Sequence, residues 1–329
     1  MTDARVVFIH GLPQRIVDVI LSFNPEGFTT TVVGGKAPEE QQLTIVKDAD
    51  FIMAYRARLS DRVLRSAAKA RLVQILSAGY DNMNLRLLRE LKIPCANNGG
   101  ANSWAVADHT LLLILSLYRR LLASDQATRK GGWNAPIDGM NTFEMANKVV
   151  GVLGFGNIGQ KVARRVQAFD AIVQYYDKFP LSPERERELE VRRVSLEALF
   201  RTSDIISCHA PLTADTRHVV NREHLAMMKP NAVLINTSRG PVVDEAALAD
   251  ALEKGIIAGA ALDVFEKEPK VHPKLLTMKN VVLAPHLGSA SVETRTRMAV
   301  MAAENVLAVL AGKRPPNLVN PEIYAGQPA

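Results

Sequence analysis

Five groups of residues in the second half of this 329-residue chain have types and spacing suited to chemistry. They are Gly154-Phe155-Gly156-Asn157-Ile158-Gly159, Asp177, Ser238-Arg239-Gly240, Asp263 with Glu266 and Glu268, and Pro285-His286. In a GxGxxG run the first glycine permits a tight turn and the second lets backbone approach a pyrophosphate. The third lets helix and strand pack closely. Amides at the start of the following helix then face the phosphates, assisted by the helix dipole. Such a run is weak on its own. Here an apolar strand-like stretch, Val149-Val150-Gly151-Val152-Leu153, precedes it, and Asp177 ends the next such stretch. A carboxylate there accepts both ribose hydroxyls of NAD and repels a 2′-phosphate. NAD is therefore the expected cofactor, with NADP the alternative that the neighbouring cation Lys178 keeps open.

The other groups suit acid–base work on an anionic substrate. Arg239 follows the apolar run 232–236 and offers a planar fork to a carboxylate or carbonyl oxygen. Asp263 ends the next run and is placed to hold a nicotinamide amide; Glu266 and Glu268 lie beyond it, and spacing alone does not choose between them. His286 follows the last run. Histidine is the side chain whose unperturbed pKa lies near neutrality, which suits a general acid or base, and a carboxylate partner would orient the ring.

These residues need strand ends to hold them. From residue 148 onward, strands are expected at 149–153, 172–176, 205–209, 232–236, 258–264 and 281–284, with helices between them such as 157–169 and 244–254. Alternation of this kind gives right-handed crossovers and a parallel sheet covered on both faces. The first hundred residues alternate too, with strands expected at 6–9, 49–54 and 72–76, a helix at 13–23 and loops at 79–81 and 97–100. One long helix is expected over 103–123, an irregular arm with Trp133 and Pro136 over 130–147, and a last helix over 291–310.

Composition narrows the function classes. The length suits two domains, and the apolar fraction of 47% allows a substantial core. The net charge of +6 is dispersed, which favours small anions over nucleic acid. Two distant cysteines, Cys95 and Cys208, exclude a disulfide framework and have no metal-ligand spacing; no metal is expected. The most apolar window, 111–118, is too short to span a bilayer and reads as a buried helix. With no secretory signal, the expected setting is cytoplasmic.

Over nearly its whole length the chain resembles the D-isomer-specific 2-hydroxyacid dehydrogenases. Besides the glycine run, the matching segments are Ser77-Ala78-Gly79-Tyr80-Asp81, Val106-Ala107-Asp108-His109-Thr110, His209-Ala210-Pro211-Leu212-Thr213, and the stretches 235–244, 259–269 and 285–289. The resemblance implies two Rossmann-like doubly wound α/β domains with a cleft between them: a substrate-binding domain of residues 1–101 and 290–329, and an NAD-binding domain of residues 102–289. It implies a catalytic triad of Arg239, Glu268 and His286, choosing Glu268 over Glu266. It assigns cofactor contacts to Gly154, Gly156, Asn157, Ile158, Gly159, Asp177, His209, Ala210, Pro211, Thr237, Ser238, Arg239, Asp263, His286 and Gly288. Amides near Ala78 and Gly79 would hold a substrate carboxylate, and Arg56 would meet a distal anionic group. A homodimer through the NAD-binding domains is also implied, the segment 123–147 reaching across.

The sequence departs from the family pattern at Asp108, where a glutamate is usual, and Trp104 stands where it would restrict the substrate site. The expected activity is NAD(H)-dependent reduction of a small 2-oxoacid such as glyoxylate or hydroxypyruvate. The alternatives are an NADH-sensing protein resembling co-repressors, a 3-phosphoglycerate dehydrogenase type lacking the extra regulatory domain, and a phosphite-oxidising type.

Overall fold

The computed structural model describes residues 4–133 and 139–325, and Pro136 of the expected arm lies outside them. The described residues form two compact units, one within Met1–Asn102 and Ala290–Ala329, the other within Ser103–Ser289.

The first unit contains β1 (Ala4–His10), α1 (Gln14–Leu21), β2 (Phe28–Gly34), α2 (Glu39–Val46), β3 (Phe51–Tyr55), α3 (Asp61–Ser66), β4 (Leu72–Ile75), α4 (Leu85–Glu90) and β5 (Cys95–Ala96). The strands form a parallel sheet in the order β2-β1-β3-β4-β5. Alternate residues of each strand point to opposite faces. Val7, Ile9, Ile52 and Val73 therefore pack on one side with Leu43, Val46, Val63 and Leu88 of the helices. Val6, Phe8, Phe51 and Leu72 pack on the other with Val17 and with Met298, Ala302 and Val306 of the closing helix Val292–Leu310. Ser291 caps that helix by accepting the Thr294 amide at 3.1 Å. Buried amide side chains fix it to the sheet: Asn305 donates to Gln74 Oε1 at 2.9 Å, Gln74 donates to Asn98 Oδ1 at 3.0 Å, and Asn98 donates to the Met298 carbonyl at 2.9 Å.

The second unit begins with α5 (Ser103–Tyr118) and α6 (Leu121–Arg129) and continues with β6 (Val149–Leu153), α7 (Asn157–Gln167), β7 (Ile172–Tyr176), α8 (Pro183–Glu188), β8 (Val191–Arg193), α9 (Leu196–Thr202), β9 (Ile205–Cys208), α10 (Arg222–Met227), β10 (Val233–Asn236), α11 (Glu245–Glu253), β11 (Gly259–Leu262) and β12 (Val281–Leu283). Its seven strands are parallel in the order β12-β11-β10-β9-β6-β7-β8. The winding reverses between β6 and β9, the switch point of a doubly wound sheet, where the carboxyl strand ends open toward ligand.

The helix expected over 103–123 is interrupted. Arg120 adopts a left-handed conformation, φ 50°, between α5 and α6. Tyr118 is buried, its ring 5.6 Å from that of Phe143, and its carbonyl accepts the Phe143 amide at 3.0 Å. The returning chain thus takes a carbonyl that a continuing helix would need. The window 111–118 lies in α5 and is buried on one side only, since Leu112 is exposed. The short or polar strands β2, β5 and β8 have no counterpart among the expected strands, and each stands at an edge of its sheet.

Candidate functional site

Four strand ends, β6, β10, β11 and β12, gather the residues with acid–base or anion-binding character at one edge of the seven-stranded sheet. At the end of β6, Gly154 has φ 91°, and a Cβ there would lie 2.4 Å from the Ala210 amide nitrogen. Only glycine fits both constraints. A Cβ on Gly159 would come within 2.4 Å of the Gly154 carbonyl oxygen, so the first turn of α7 lies directly on the loop. At Gly156 a Cβ would meet nothing within 4 Å. Gly156 is also the N-cap of α7 and provides no side-chain cap. The helix therefore presents its first amides, at Asn157 and Ile158, to an open space, the arrangement that receives a pyrophosphate.

Asp177 follows β7 and reaches back to this loop. Its Oδ2 accepts the Phe155 amide at 2.6 Å and its Oδ1 accepts the Phe179 amide at 2.8 Å. Each carboxylate oxygen has a second lone pair, so both retain capacity for a ribose hydroxyl. Lys178 is paired with Asp215, 2.6 Å away on the loop after β9. His209 lies at the end of β9, its Nε2 2.7 Å from Ser207 Oγ, while its buried Nδ1 has no partner among the described residues. Burial pushes this imidazole down to about 3, so it is neutral at physiological pH. Ala210 and Pro211 follow it on the same loop.

After β10, Asn236 organises the turn: its Oδ1 accepts both the amide and the hydroxyl of Ser238, and its Nδ2 donates to the Arg239 carbonyl at 3.0 Å. Thr237 lies 2.9 Å from Thr110 of α5, oxygen to oxygen, fastening that helix to the turn. Arg239 Nη1 donates to the Ser238 carbonyl at 2.8 Å.

The His286 and Glu268 side chains meet at 2.9 Å, Nδ1 to Oε2, each a little over one third exposed. Glu268 Oε1 accepts the Phe265 amide at 3.2 Å. Burial alone would raise the Glu268 carboxyl. The hydrogen bond and charge of His286, the Phe265 amide and the Arg239 guanidinium outweigh that effect and hold it below its ordinary range. Glu266 turns elsewhere, its Oε1 bonding His218 Nε2.

Asp263 is 1% exposed and shapes the histidine loop. Its Oδ1 accepts the Leu287 amide at 2.7 Å, its Oδ2 the Gly288 amide at 2.8 Å, and its carbonyl the His286 amide at 2.8 Å. A Cβ on Gly288 would lie 2.9 Å from Asp263 Oδ2. His109 of α5 brings its Nε2 within 3.3 Å of Asp263 Oδ1 without hydrogen-bond alignment. Any nicotinamide amide at Asp263 would share oxygens that already hold this loop. The His109 and His218 pairings were missed from sequence because nothing in the spacing of 109, 218, 263 and 266 signals contact.

Ala78, Gly79 and Arg56 belong to the first unit. Ala78 and Gly79 follow β4, where Ser77 Oγ donates to the Gly79 carbonyl at 2.7 Å and Asn97 Nδ2 to the Ala78 carbonyl at 2.7 Å. Arg56 follows β3 with φ 49°, its guanidinium 5.8 Å from the centre of the Tyr55 ring. Both cysteines are buried, and burial pushes each thiol up to about 12. Among the described residues no His, Cys, Asp or Glu cluster has the arrangement of a metal site, and no helix is long and apolar enough to cross a membrane.

A sheet wound in this order, with acid–base side chains beside a glycine loop at its carboxyl edge, defines the class of dinucleotide-dependent oxidoreductases. Within that class the chain belongs to the D-isomer specific 2-hydroxyacid dehydrogenases, whose NAD binding domain matches residues 111–288. It is 43% identical to a glyoxylate reductase of Aeropyrum pernix over 87% of each chain. It is 39% identical to the glyoxylate reductase of Thermococcus litoralis, covering 88% of this chain and 89% of the relative. Its structure is similar, with a TM-score of 0.82 and 29% identity over 97% of each chain, to an NADPH-dependent glyoxylate/hydroxypyruvate reductase from Sinorhizobium meliloti in complex with NADP and malonate. The relatives support reduction of a 2-oxoacid, and their cofactors include NADP.

Proposed function

We propose that the chain reduces glyoxylate or hydroxypyruvate to the corresponding 2-hydroxyacid, with NADH preferred over NADPH. The observation that carries this reading is the His286–Glu268 pair, held at 2.9 Å, with the hydrogen bond and charge of His286 foremost among the effects that keep the glutamate low against its burial. A nicotinamide dinucleotide, when bound, would supply the hydride. Gly154, Gly156 and Gly159 shape its pyrophosphate cradle, and the Asn157 and Ile158 amides face the phosphates. Asp177 accepts ribose hydroxyls through its remaining lone pairs and disfavours a 2′-phosphate. His209, Ala210, Pro211, Thr237, Ser238, Asp263 and Gly288 are the strand-end residues that would hold the rest of the cofactor.

Arg239 grips the carboxylate and carbonyl oxygen of the substrate, orienting the carbonyl and stabilising charge as it develops. Glu268 holds His286 through Nδ1, so Nε2 gives its proton to the new hydroxyl oxygen. The carboxylate orients the ring so that this proton faces the reacting oxygen. Ala78, Gly79 and Arg56 are further candidates for substrate contact, each open to separate substitution. Asp108, on α5, is ion-paired to Arg165 at 2.6 Å.

The proposal extends to a homodimer formed through the Ser103–Ser289 unit and to a cytoplasmic setting. Helix α6, which has no buried residue, and exposed Trp133 support the first; two unpaired buried thiols support the second.

The deciding experiment follows loss of NADH and NADPH absorbance with glyoxylate, hydroxypyruvate, pyruvate, phenylpyruvate and 3-phosphohydroxypyruvate. Fastest turnover of glyoxylate or hydroxypyruvate with NADH is expected. Preference for 3-phosphohydroxypyruvate overturns the substrate, preference for NADPH overturns the cofactor, and tight NADH binding with no turnover indicates a sensor.

A further inference from the structure

The loop that carries Glu268 is tied at two points to a buried acid that stands outside the reacting groups. Glu245 is the first residue of α11, directly after the N-cap Asp244. An acid there ordinarily complements the helix dipole from the surface. Glu245 is instead 8% exposed and has no ion pair among the described residues. A buried carboxylate is costly unless hydrogen bonds satisfy it. Two do: Oε2 accepts the Glu266 amide at 2.9 Å and Oε1 accepts the His272 amide at 2.6 Å.

Those amides bracket the Glu268 turn on both sides. Inside the bracket the Lys270 amide donates to the Lys267 carbonyl at 2.9 Å, closing a turn with Glu268 near its tip. One carboxylate therefore clamps both ends of the turn. The segment leading into Glu245 starts at Arg239 and presses on the same backbone, for a Cβ on Gly240 would lie 1.9 Å from the Phe265 carbonyl carbon. Arg239 and Glu268 are thus carried by backbones joined at Gly240 and Glu245.

We propose that Glu245 is a positioning residue that sets Glu268 against His286, acting through the backbone of the 266–272 turn. The proposal rests on the reading of Glu268 as the partner of His286. The charged groups around the turn are His286 and Arg239 facing Glu268, His218 facing Glu266, and Lys267 and Lys270 on the turn itself.

The test compares full-length E245Q, E268Q and the double variant in glyoxylate reduction with NADH across pH. Glutamine keeps one acceptor and turns an amino group toward the other amide, opening half of the clamp. E245Q is expected to lower kcat by about 10- to 100-fold, as a displaced catalytic group does, with KM for NADH within about twofold. The pH profile of its kcat/KM should move in the same direction as that of E268Q, because both variants disturb the same carboxylate–imidazole contact. In the double variant E245Q should add little to E268Q.

An unshifted pH profile in E245Q, or losses that multiply in the double variant, overturns the role of Glu245. An E268Q enzyme with normal rate and profile instead overturns the reading of Glu268. His272→Pro supplies the same readout if E245Q fails to fold. It deletes one clamped amide at φ −58°, a value proline accepts. It should move the profile in the same direction, and an unmoved profile in a folded H272P also overturns the proposal.

Discussion

His286 sits at φ 56°, a left-handed conformation that a non-glycine residue adopts at a cost of about 1 kcal/mol or more. Its amide is held by the Asp263 carbonyl, while the Asp263 carboxylate holds the next two amides. The ring is thereby aimed by a buried acid on one strand and met by an acid from the turn beyond it. His286→Ala should lower kcat by about 100-fold or more, the usual contribution of a positioned acid or base. NADH affinity should be kept, and steady-state rates alongside fluorescence titration would check both. Asp177→Ala should weaken NADH by about 10-fold, in line with charge-assisted hydrogen bonds, and should narrow the preference over NADPH. The ratio of kcat/KM for the two cofactors is the measurement, and an unchanged ratio removes Asp177 from selectivity. At this scale the sequence showed the residue types and their places at strand ends, but not their contacts. Spacing did not choose between Glu266 and Glu268; the structure turns Glu268 toward His286 and Glu266 toward His218.

Among the elements, the glycine loop and α7 were legible because their constraint is local: a turn, a close approach and a helix start within six residues. The interruption of α5 was not, because it depends on the chain returning at Phe143 to take the Tyr118 carbonyl. Two glycines separate folding from binding. Gly240→Ala places a Cβ within 2.0 Å of the Phe265 carbonyl oxygen, so it should destabilise by about 3 kcal/mol or more. A large drop in melting temperature would be the sign. Gly156→Ala meets no atom within 4 Å and keeps an ordinary backbone, φ −77°. It should melt near the parent and bind NADH more weakly, its methyl occupying the phosphate space. Normal NADH affinity in a folded Gly156→Ala protein would remove the cradle from this loop.

For the whole molecule, pH couples to stability through His209. Burial pushes its folded-state value down to about 3 from 6.5, so the unfolded chain binds the extra proton between those values. The contribution of neutral His209 is fully present above about 6.5 and is lost as pH falls toward 3, with a slope of at most about 1.4 kcal/mol per pH unit. Glu268 acts in the same direction over its own acidic range, its carboxyl being held low. Denaturation from pH 8 to pH 5 should show falling stability, with a shallower fall in His209→Gln; equal slopes would count against burial of the neutral ring. Sedimentation should report a dimer, and Leu121→Glu with Leu122→Glu should yield a monomer. These leucines are 52% and 58% exposed in the single chain.

The sequence by itself determined the strand–helix alternation of the second sheet, the glycine loop, the acid after the next strand and the strand-end positions of Arg239, Asp263 and His286. Each depends on short-range periodicity or on a residue's place at the end of an apolar run. The tertiary structure alone decided which side chains meet. Glu268 faces His286 across 18 positions, Asp263 spends its oxygens on the 287–288 amides, and Glu245 clamps amides 21 and 27 positions away. Those contacts depend on parallel strands laid side by side by their crossovers, and no local pattern encodes the direction in which a side chain leaves a loop.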